Sequence, residues 1–410
     1  MSQLLERFLR YAKVHTTSDP NSSKKPSTPC QWDLLQMLHT ELTELQIPAT
    51  CYDAGYLIAQ IPATTGYEEV PRIALLAHVD TSPEAPGEKV SPCLHPNYDG
   101  KPIQLKGSIL SPSDYPDLLR YVGHTLITSD GTTLLGADDK AGVAILMTLA
   151  AELQSKPELT HGPIALAFTT DEEVGRGLES FDESQLQAIY AYTIDGGLEG
   201  EFEYECFHAA SARITATGHN VHPGSAYHTM RHALQSLIKL DNRLGYTHER
   251  PEVTQGREGF LHLCHMAGDV SSATAEYIIR DHDRQLLEQR IARIREVAQQ
   301  INEEPHAAQL AVEVSYQYRN MYDYIAPHPE VIEHAIAAYE AVGVKPIIQP
   351  IRGGTDGAIL SERGIPCPNI FTSGGNFHSI HEYCSLDAME RCLSIVTQLV
   401  CRYAASQALD

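Results

Sequence analysis

Three short apolar runs along the chain each end in acidic or histidine residues, at positions 72–80, 163–173 and 189–197. Each run has the length and apolar content of a buried strand whose carboxyl end carries polar groups. Residues 140–154, between the first two runs, have the composition and length of a helix. The alternation of strand, helix and strand predicts an α/β fold with a mixed, largely parallel sheet flanked by helices. In open sheets of this type, ligands bind beyond the carboxyl ends of the strands, where all three polar clusters fall.

The pattern changes from about residue 209. Residues 210–223 alternate between apolar and polar positions, as an exposed strand does, and residues 311–318 are again strand-like. Between them, residues 283–304 carry an apolar stripe at the spacing of a long amphipathic helix. Strand, helix and strand without polar clusters predict a smaller α+β domain that is inserted in the first one.

These patterns predict a catalytic domain in two parts, residues 1–207 and 319–410, with the α+β domain inserted at 208–318. Length agrees with this division, because 410 residues are long for one core and two compact units are the default expectation. Apolar residues at helical spacing predict further helices in the catalytic domain, at 3–13, 31–46, 329–342 and 386–408.

The composition is that of an ordinary globular protein, with 42% hydrophobic and 20% charged residues. A net charge of −23 repels nucleic acid, so we expect no nucleic-acid partner. Nine cysteines without a CxxC pair are typical of free thiols in a reducing compartment. The chain has no signal-peptide pattern and no run of about 18 apolar residues, so we expect a cytoplasmic protein with no membrane partner.

Five polar sites stand at predicted strand ends or in glycine-rich turns. They supply histidine and carboxylate side chains in numbers that suit a pair of borderline divalent metal ions. The sites are His78-Val79-Asp80, Asp138-Asp139-Lys140, Asp171-Glu172-Glu173, Asp195-Gly196-Gly197 and His378-Ser379-Ile380-His381-Glu382.

The spacing of His78 and Asp80 suits a metal ligand and its support, because side chains two residues apart on a strand point to the same side. His78 would bind the metal while Asp80 fixes the orientation of the ring. A structural histidine at a strand end is the alternative. The Asp138-Asp139 pair opens a helix, where one carboxylate could bridge two cations and the other could cap the helix.

Residues 169–177 place three acids directly after an apolar strand. Adjacent carboxylates repel one another, and a nearby cation would relieve that cost; an exposed, solvated turn is the alternative. In the functional interpretation, Glu172 is a general base and Glu173 is a metal ligand. The chain has no GxSxG, Walker, GxGxxG or HExxH motif, so the sites that those motifs mark are not supported.

Eight motifs in order resemble the tripeptide aminopeptidase branch of the co-catalytic two-zinc exopeptidases. The resemblance covers essentially the whole chain, and the order and spacing of the motifs make it specific. Relatives in the wider family include carboxypeptidases, dipeptidases, aminoacylases and deacetylases. The motifs are HVDTSP (78–83), LLGADDKAG (134–142), FTTDEEVGRG (168–177), YTIDGG (192–197), HPGSA (222–226), YIIRDHDR (277–284), IRGGTDGA (351–358) and CPNIFTSGGNFHSIHE (367–382).

The resemblance implies a ligand set for two zinc ions per chain, for which cobalt or manganese could substitute. His78 and Asp195 would hold one zinc, and Glu173 and His378 would hold the other. Asp138 would bridge them, because the bridging acid of the wider family stands two residues before a lysine.

The same resemblance assigns the remaining catalytic positions. Asp80 would be the carboxylate that fixes the orientation of the His78 ring, and Glu172 would be the general base. His381 stands where many relatives have asparagine, which makes it a weaker ligand candidate than His378. His222, in HPGSA, resembles the lid histidine of the family and would stabilise the tetrahedral oxyanion; a turn histidine before proline is the alternative.

Three residues are candidates for substrate contact. Arg280 and Arg352 would clamp the carboxylate of a peptide, with surface ion pairing as the alternative. Asn320 is a further candidate.

The implied function is the metal-dependent removal of the N-terminal residue from tripeptides. A dipeptidase or an N-acyl amino acid hydrolase of the same family is an alternative, and a catalytically inactive metal-binding relative is another. The expected partner is therefore a short peptide. The inserted domain would either form a homodimer or close as a lid within one chain.

Overall fold

A computed structural model describes residues 2–407, except for the side chain of Gln407, as two compact units. The first unit includes the chain up to Tyr204, Tyr324–Gln349 and the chain from Thr355; the second is Glu205–Asp323 with Pro350–Gly354. The strands are β1 (Ala49–Tyr52), β2 (Tyr56–Ile61), β3 (Ile73–His78), β4 (Cys93–His95), β5 (Ile103–Gln104), β6 (Ile109–Leu110), β7 (Leu126–Thr128), β8 (Ile164–Thr169), β9 (Tyr190–Ile194), β10 (Glu201–Glu203), β11 (His208–Thr217), β12 (Phe260–Gly268), β13 (Ser272–Asp281), β14 (Gln309–Tyr318), β15 (Ile347–Ile348), β16 (Asn369–Ile370), β17 (Gly374–Gly375) and β18 (Tyr383–Ser385). The helices are α1 (Gln3–Ala12), α2 (Gln31–Glu44), α3 (Ala137–Ser155), α4 (Ala233–Leu244), α5 (Arg284–Asn302), α6 (Tyr322–Ile325), α7 (Pro329–Val342), α8 (Asp356–Glu362) and α9 (Leu386–Gln407).

The first unit is built on an eight-stranded sheet with the strand order β1-β2-β8-β3-β9-β16-β10-β15. Its centre is parallel, because β3 pairs in parallel with β8 and β9, and β9 pairs in parallel with β16. β1 and β2 extend it in antiparallel fashion beside β8. The predicted fold class, a mixed and largely parallel sheet flanked by helices, is confirmed.

The central strands are buried on both faces, which explains their uninterrupted apolar sequence. In β3, Ile73 and Leu75 pack in a core that includes residues of α1, α2, α3, α7 and α9. Ala74 and Leu76 point the other way and pack in a second core with Leu360 of α8. Helices therefore cover both faces of the central strands, and in sheets of this type ligands bind beyond the carboxyl ends of the strands. Within residues 2–407, no helix is long and apolar enough to cross a membrane.

A second, four-stranded sheet in this unit has the order β17-β18-β7-β4. Its strands are two or three residues long and antiparallel. The loop between β17 and β18 contains residues 376–382, so this small sheet positions the last of the predicted histidine ligands. Such short strands carry too little periodicity to be read from the sequence.

The second unit has an antiparallel sheet with the order β12-β13-β11-β14 and the helices α4 and α5 packed on it. The sequence predicted β11, α5 and β14. It did not identify α4, β12 or β13, which complete the α+β unit. Asp283 caps α5 by accepting hydrogen bonds from the backbone N–H groups of Gln285 and Leu286. Ile291 and Ile294 belong to the apolar stripe of α5 and are buried.

Candidate metal centre

Three neighbouring strands of the first unit bring polar residues to one edge of the sheet. β3 and β8 run parallel and pair His78 with Thr169, the last residue of each strand. Asp195 directly follows β9, the parallel neighbour of β3 on its other side. The 3-10 helix Glu172–Val174 follows β8. The parallel pairing thus gathers side chains that lie far apart in the sequence.

The turn that opens α3 brings Asp138 to His78. Gly136 has a left-handed φ of 77°, and Asp138 itself has non-helical angles of −86° and 105°. Glu382 fixes this turn, because its buried carboxylate accepts the backbone N–H groups of Leu135, Gly136 and Asp138 at 2.7, 2.8 and 3.1 Å. The result is a distance of 3.0 Å between Nε2 of His78 and Oδ1 of Asp138.

His378, on the loop between β17 and β18, reaches the same cluster with a left-handed φ of 60°. Its Nε2 lies 2.7 Å from Oε2 of Glu173 and 3.6 Å from Oδ2 of Asp138. His381, on the same loop, contacts Tyr115 instead, with 3.1 Å between Nδ1 and the phenolic oxygen. Of the two histidines that the sequence left in competition, His378 is the one beside the carboxylates.

Asp138 stands between the two histidines. One of its oxygens faces His78 and the other faces His378. Each histidine has a further carboxylate beside it: Oδ1 of Asp195 is 3.7 Å from Nε2 of His78, and Glu173 pairs with His378. A pair of metal ions with one bridging carboxylate needs this distribution of donors.

Two groups of three among the described residues place their potential ligand atoms within 4.8 Å of one another: His78, Asp138 and Glu173, and His78, Asp139 and Asp195. The second group contains Asp139, to which the sequence analysis gave no ligand role. Asp139 is fully buried and accepts the backbone N–H groups of His78 and Gly142 at 3.2 and 3.1 Å, one on each oxygen. Because both of its oxygens serve the backbone, we retain Asp138 as the bridging candidate.

Asp80 links His78 to the loop that follows β8. Its Oδ1 lies 3.4 Å from Nδ1 of His78, whereas Asp138 faces the other ring nitrogen. The same buried carboxylate accepts the backbone N–H groups of Glu172 and Glu173 at 3.1 and 3.2 Å. Asp80 therefore orients the imidazole ring and fixes the backbone of both glutamates.

Burial opposes ionisation of the acids in this cluster. Burial, with a smaller contribution from neighbouring carboxylates, raises the pKa of Asp195 and Glu172 well above their usual values and that of Glu173 to about 7. His378 responds in the opposite direction, because hydrogen bonds to Asp138 and Glu173 raise its pKa to about 11. Protons therefore offset the negative charge of these carboxylates when no metal is bound, and metal cations would replace those protons.

The donor set fits divalent cations. Oε1 of Glu173 is buried and has no hydrogen-bond partner, which is costly for a carboxylate oxygen and is relieved when a cation binds. Imidazole nitrogen and carboxylate oxygen are donors that suit zinc, cobalt and manganese.

The predicted arginines lie in the second unit, and both are engaged with its own groups. Arg280 donates to two backbone carbonyls at 3.0 Å, and its guanidinium lies 5.6 Å from the ring centre of Tyr318. Arg352 donates to two backbone carbonyls and to the hydroxyl of Thr254, and it lies over the ring of Phe207 at 5.2 Å. Their role in substrate binding stays a prediction.

Asn320 and His222 also lie in the second unit. Asn320 is buried; its side-chain oxygen accepts the backbone N–H groups of Cys206 and Tyr322, both at 3.0 Å. His222 is exposed, and its Nδ1 accepts the N–H of Gly224 at 3.1 Å, within the HPGSA turn. The neutral imidazole then has a hydrogen on Nε2, which is free to donate. The functions predicted for both residues stay predictions.

The sequence analysis missed two buried acids that support the centre. Glu382, described above, stands in a quoted motif but received no role. Asp356, at the start of α8, accepts a hydrogen bond from Thr169 at 2.7 Å, and burial raises its pKa to about 6. Gly177 lies against it, since an added Cβ would stand 2.1 Å from its Oδ1. Apart from the motifs, no local signal marked either acid.

A largely parallel sheet with a histidine–carboxylate cluster at the carboxyl ends of its strands defines the class of the metallohydrolases. The chain belongs to Peptidase family M20/M25/M40, whose family model matches residues 129–402. A curated protein named Peptidase T, from Geobacillus sp. (strain WCH70), is 46% identical over 403 residues, which are 97% of this chain and 98% of that protein. The resemblance that the eight motifs indicated is confirmed, and the chain is a peptidase.

Two solved structures share the fold over nearly the whole chain. The aminopeptidase PepT from Bacillus cereus ATCC 10987 has a TM-score of 0.76 at 22% identity and covers 98% of this chain and 99% of its own. A tripeptidase from Staphylococcus aureus subsp. aureus Mu50 has a TM-score of 0.77 at 20% identity, with 98% of each chain covered. At this identity the likeness establishes the fold.

The protonated state of His378 predicts that metal binding releases protons. A metal ligand must be neutral imidazole, so a histidine with its pKa raised to about 11 loses a proton at pH 7 when metal binds. Affinity for Zn²⁺ should therefore rise as pH rises from 6.5 to 8, and calorimetry in buffers of different ionisation enthalpy should report at least about one proton released per chain.

Two variants control this measurement. His378→Gln should release fewer protons than the parent chain, whereas His265→Gln, at an exposed histidine, should release as many. An affinity that is flat over this pH range, with no dependence on the buffer, would contradict the interpretation.

Proposed function

We propose that the chain is a two-zinc aminopeptidase that removes the N-terminal residue from tripeptides, with Glu172 as the general base. The observation that carries the proposal is the cluster of two histidines and three carboxylates beside Glu172, a half-buried glutamate whose backbone N–H is held by Asp80. The names of the relatives, Peptidase T and tripeptidase, support the substrate class.

In this proposal, His78 and Asp195 would hold one metal ion, Glu173 and His378 would hold the other, and Asp138 would contribute to both. When bound, the two cations supply positive charge that polarises the scissile carbonyl and lowers the pKa of water. Zinc is the first choice for this mixed set of nitrogen and oxygen donors, and cobalt or manganese are substitutes.

Glu172 moves the proton. Burial raises the pKa of its carboxyl, with Asp195 and Asp356 adding to the shift, so this group can accept a proton from water and release it again. The backbone N–H groups of Glu172 and Glu173 donate to Asp80, and these two hydrogen bonds fix the backbone that carries the base. Glu172 first takes a proton from the attacking water and then gives it to the departing amine nitrogen.

His222 has the role of a neutral donor. Because Nδ1 accepts a backbone N–H, the hydrogen on Nε2 is available to stabilise negative charge on the oxygen of the tetrahedral intermediate. Arg280 and Arg352 remain the candidates for the peptide carboxylate, and Asn320 the further candidate for substrate contact, although each already has partners in the second unit.

The cytoplasm is the proposed setting of the reaction. All nine cysteines are free, which suits the reducing cytoplasm. The second unit either forms a homodimer or closes as a lid within one chain. A measurement of the oligomeric state in solution distinguishes the two.

Glu172→Gln should abolish most turnover, because the amide cannot accept the proton of water. We expect kcat for a free tripeptide to fall by about 10²- to 10⁴-fold, with both metal ions retained. The substrate set is the tripeptide, its N-acetylated form, a dipeptide and a tetrapeptide, each with and without a chelator, with released residues measured by liquid chromatography.

Chelator-sensitive release of the N-terminal residue from the free tripeptide, and not from the other three substrates, is the expected result. Faster cleavage of the dipeptide or of the acetylated peptide would replace the tripeptidase assignment with the dipeptidase or N-acyl hydrolase alternative. No turnover of any substrate by the metal-loaded parent chain would favour an inactive metal-binding relative.

His222→Ala should lower kcat/KM for the tripeptide by about 10²- to 10³-fold, because a donor to the developing oxyanion is lost. The melting temperature should not change, since the side chain is exposed. His219→Ala, at another exposed histidine of the same unit, should leave kcat/KM as in the parent chain. Equal kinetics for His222→Ala and the parent would remove His222 from the mechanism.

A further inference from the structure

The segment between α1 and α2, residues 13–30, is bound by polar groups to the loop that carries Glu172 and Glu173. Lys25 is the main contact, and its side chain is only 14% exposed. Its ammonium group donates to the backbone carbonyls of Thr170, Arg176 and Gly177. These carbonyls lie at the two ends of residues 170–177, the loop with Glu172 and Glu173, which we call the catalytic loop. One ammonium group therefore binds both ends of the catalytic loop.

Asp171 makes the second contact from inside this loop. It directly precedes Glu172, has a left-handed φ of 64° and is fully buried. Its carboxylate accepts hydrogen bonds from the backbone N–H and the hydroxyl of Ser27 and from the amide of Gln31, and lies 3.6 Å from the Lys25 ammonium. The N–H of Asp171 donates back to Gln31 at 3.1 Å.

Arg176 makes the third contact in the opposite direction. From the far end of the catalytic loop, its guanidinium donates to the backbone carbonyls of Ser22 at 2.6 Å and Lys24 at 3.0 Å. The two loops are therefore joined by charged groups from both sides.

Burial of these charged groups costs desolvation free energy, so the arrangement is a poor means of stabilising the fold. An ammonium group loses hydration when it is buried, and well-packed apolar side chains give equal or greater stability in most such places. The polar contacts, however, have directions, and each fixes a backbone carbonyl or N–H of residues 170–177. Such directional contacts suit a loop whose conformation must be held closely.

We propose that Lys25 is a positioning residue for Glu172: by holding both ends of the 170–177 loop, it keeps the base carboxylate in line with the water that it deprotonates. The inference rests on the proposed function of Glu172. Lys25 does not touch the metal ligands or the substrate in this account, and acts only through the loop backbone. Misplacement of a reacting group by about 1 Å can cost on the order of 10²-fold in rate.

The test is a double-mutant cycle between Lys25→Met and Glu172→Gln, measured on the full metal-loaded chain with a free tripeptide. Lys25→Met alone should lower kcat by about 10- to 100-fold, change KM by less than about threefold, and leave two metal ions per chain. In the Glu172→Gln background, the same change should lower the residual kcat by less than about twofold, because the group that Lys25 positions is already absent.

Two further variants complete the cycle. Lys25→Arg, which keeps a buried cationic donor, should recover part of the lost kcat. Lys106→Met removes an exposed lysine that pairs with Asp130 and should leave kcat, KM and metal content unchanged. If Lys25→Met does not fold, Arg176→Gln enters the same cycle. It removes the contacts from the other side, together with the pair between Arg176 and Glu179, and its loss of kcat should again vanish in the Glu172→Gln background.

Three results would overturn the proposal: an unchanged kcat in Lys25→Met, an equal loss of kcat in both backgrounds, or a loss that is explained by missing metal. The kcat of the single Glu172→Gln variant tests the proposed function separately. If that variant keeps full activity, Glu172 is not the base, whatever Lys25→Met does.

Discussion

Repulsion among closely spaced, partly buried carboxylates is the constraint on which the rest of the site depends. Asp138, Asp195, Glu172 and Glu173 meet at one edge of the sheet, and burial raises the pKa of the last three. No arrangement of these acids alone would be stable in the ionised state. The two histidines share protons with them, and divalent cations would replace those protons. The fold therefore creates a candidate site for divalent cations, independently of family membership.

A set of buried acids that bind backbone groups gives the centre its geometry. Asp80 holds the loop after β8, Glu382 holds the turn before α3, and Asp139 holds the N-terminal turn of that helix to β3. Each carboxylate accepts two or more N–H groups, so that backbone dipoles carry much of its charge. In the same way, Asp171 connects the catalytic loop to the segment before α2. The ligands are thus held by rigid backbone, as metal sites require.

The sequence predicted the parallel sheet and the main helices because their apolar periodicity is strong. His78, Glu173 and Asp195 stood out because they end or follow predicted strands, whereas Asp138 and His378 lie in turns, and the complete ligand set came from the family resemblance. It did not predict α4, β12 or β13, or the short strands β17 and β18 that flank the loop with His378. It also assigned no role to the segment between α1 and α2. Partners such as Lys25 and Asp171 are about 145 residues apart, and a single sequence contains no signal for a contact at that distance. What sequence reasoning lacked was therefore long-range polar contacts.

The most direct test of the two-metal account is a titration of metal-depleted protein with Zn²⁺, in which bound metal and hydrolysis of a free tripeptide are measured on the same samples. The account predicts no turnover without metal and a rise in activity that reaches its plateau at two equivalents per chain. Full activity in the metal-depleted chain would contradict the account, and so would a plateau at one equivalent with no second ion bound.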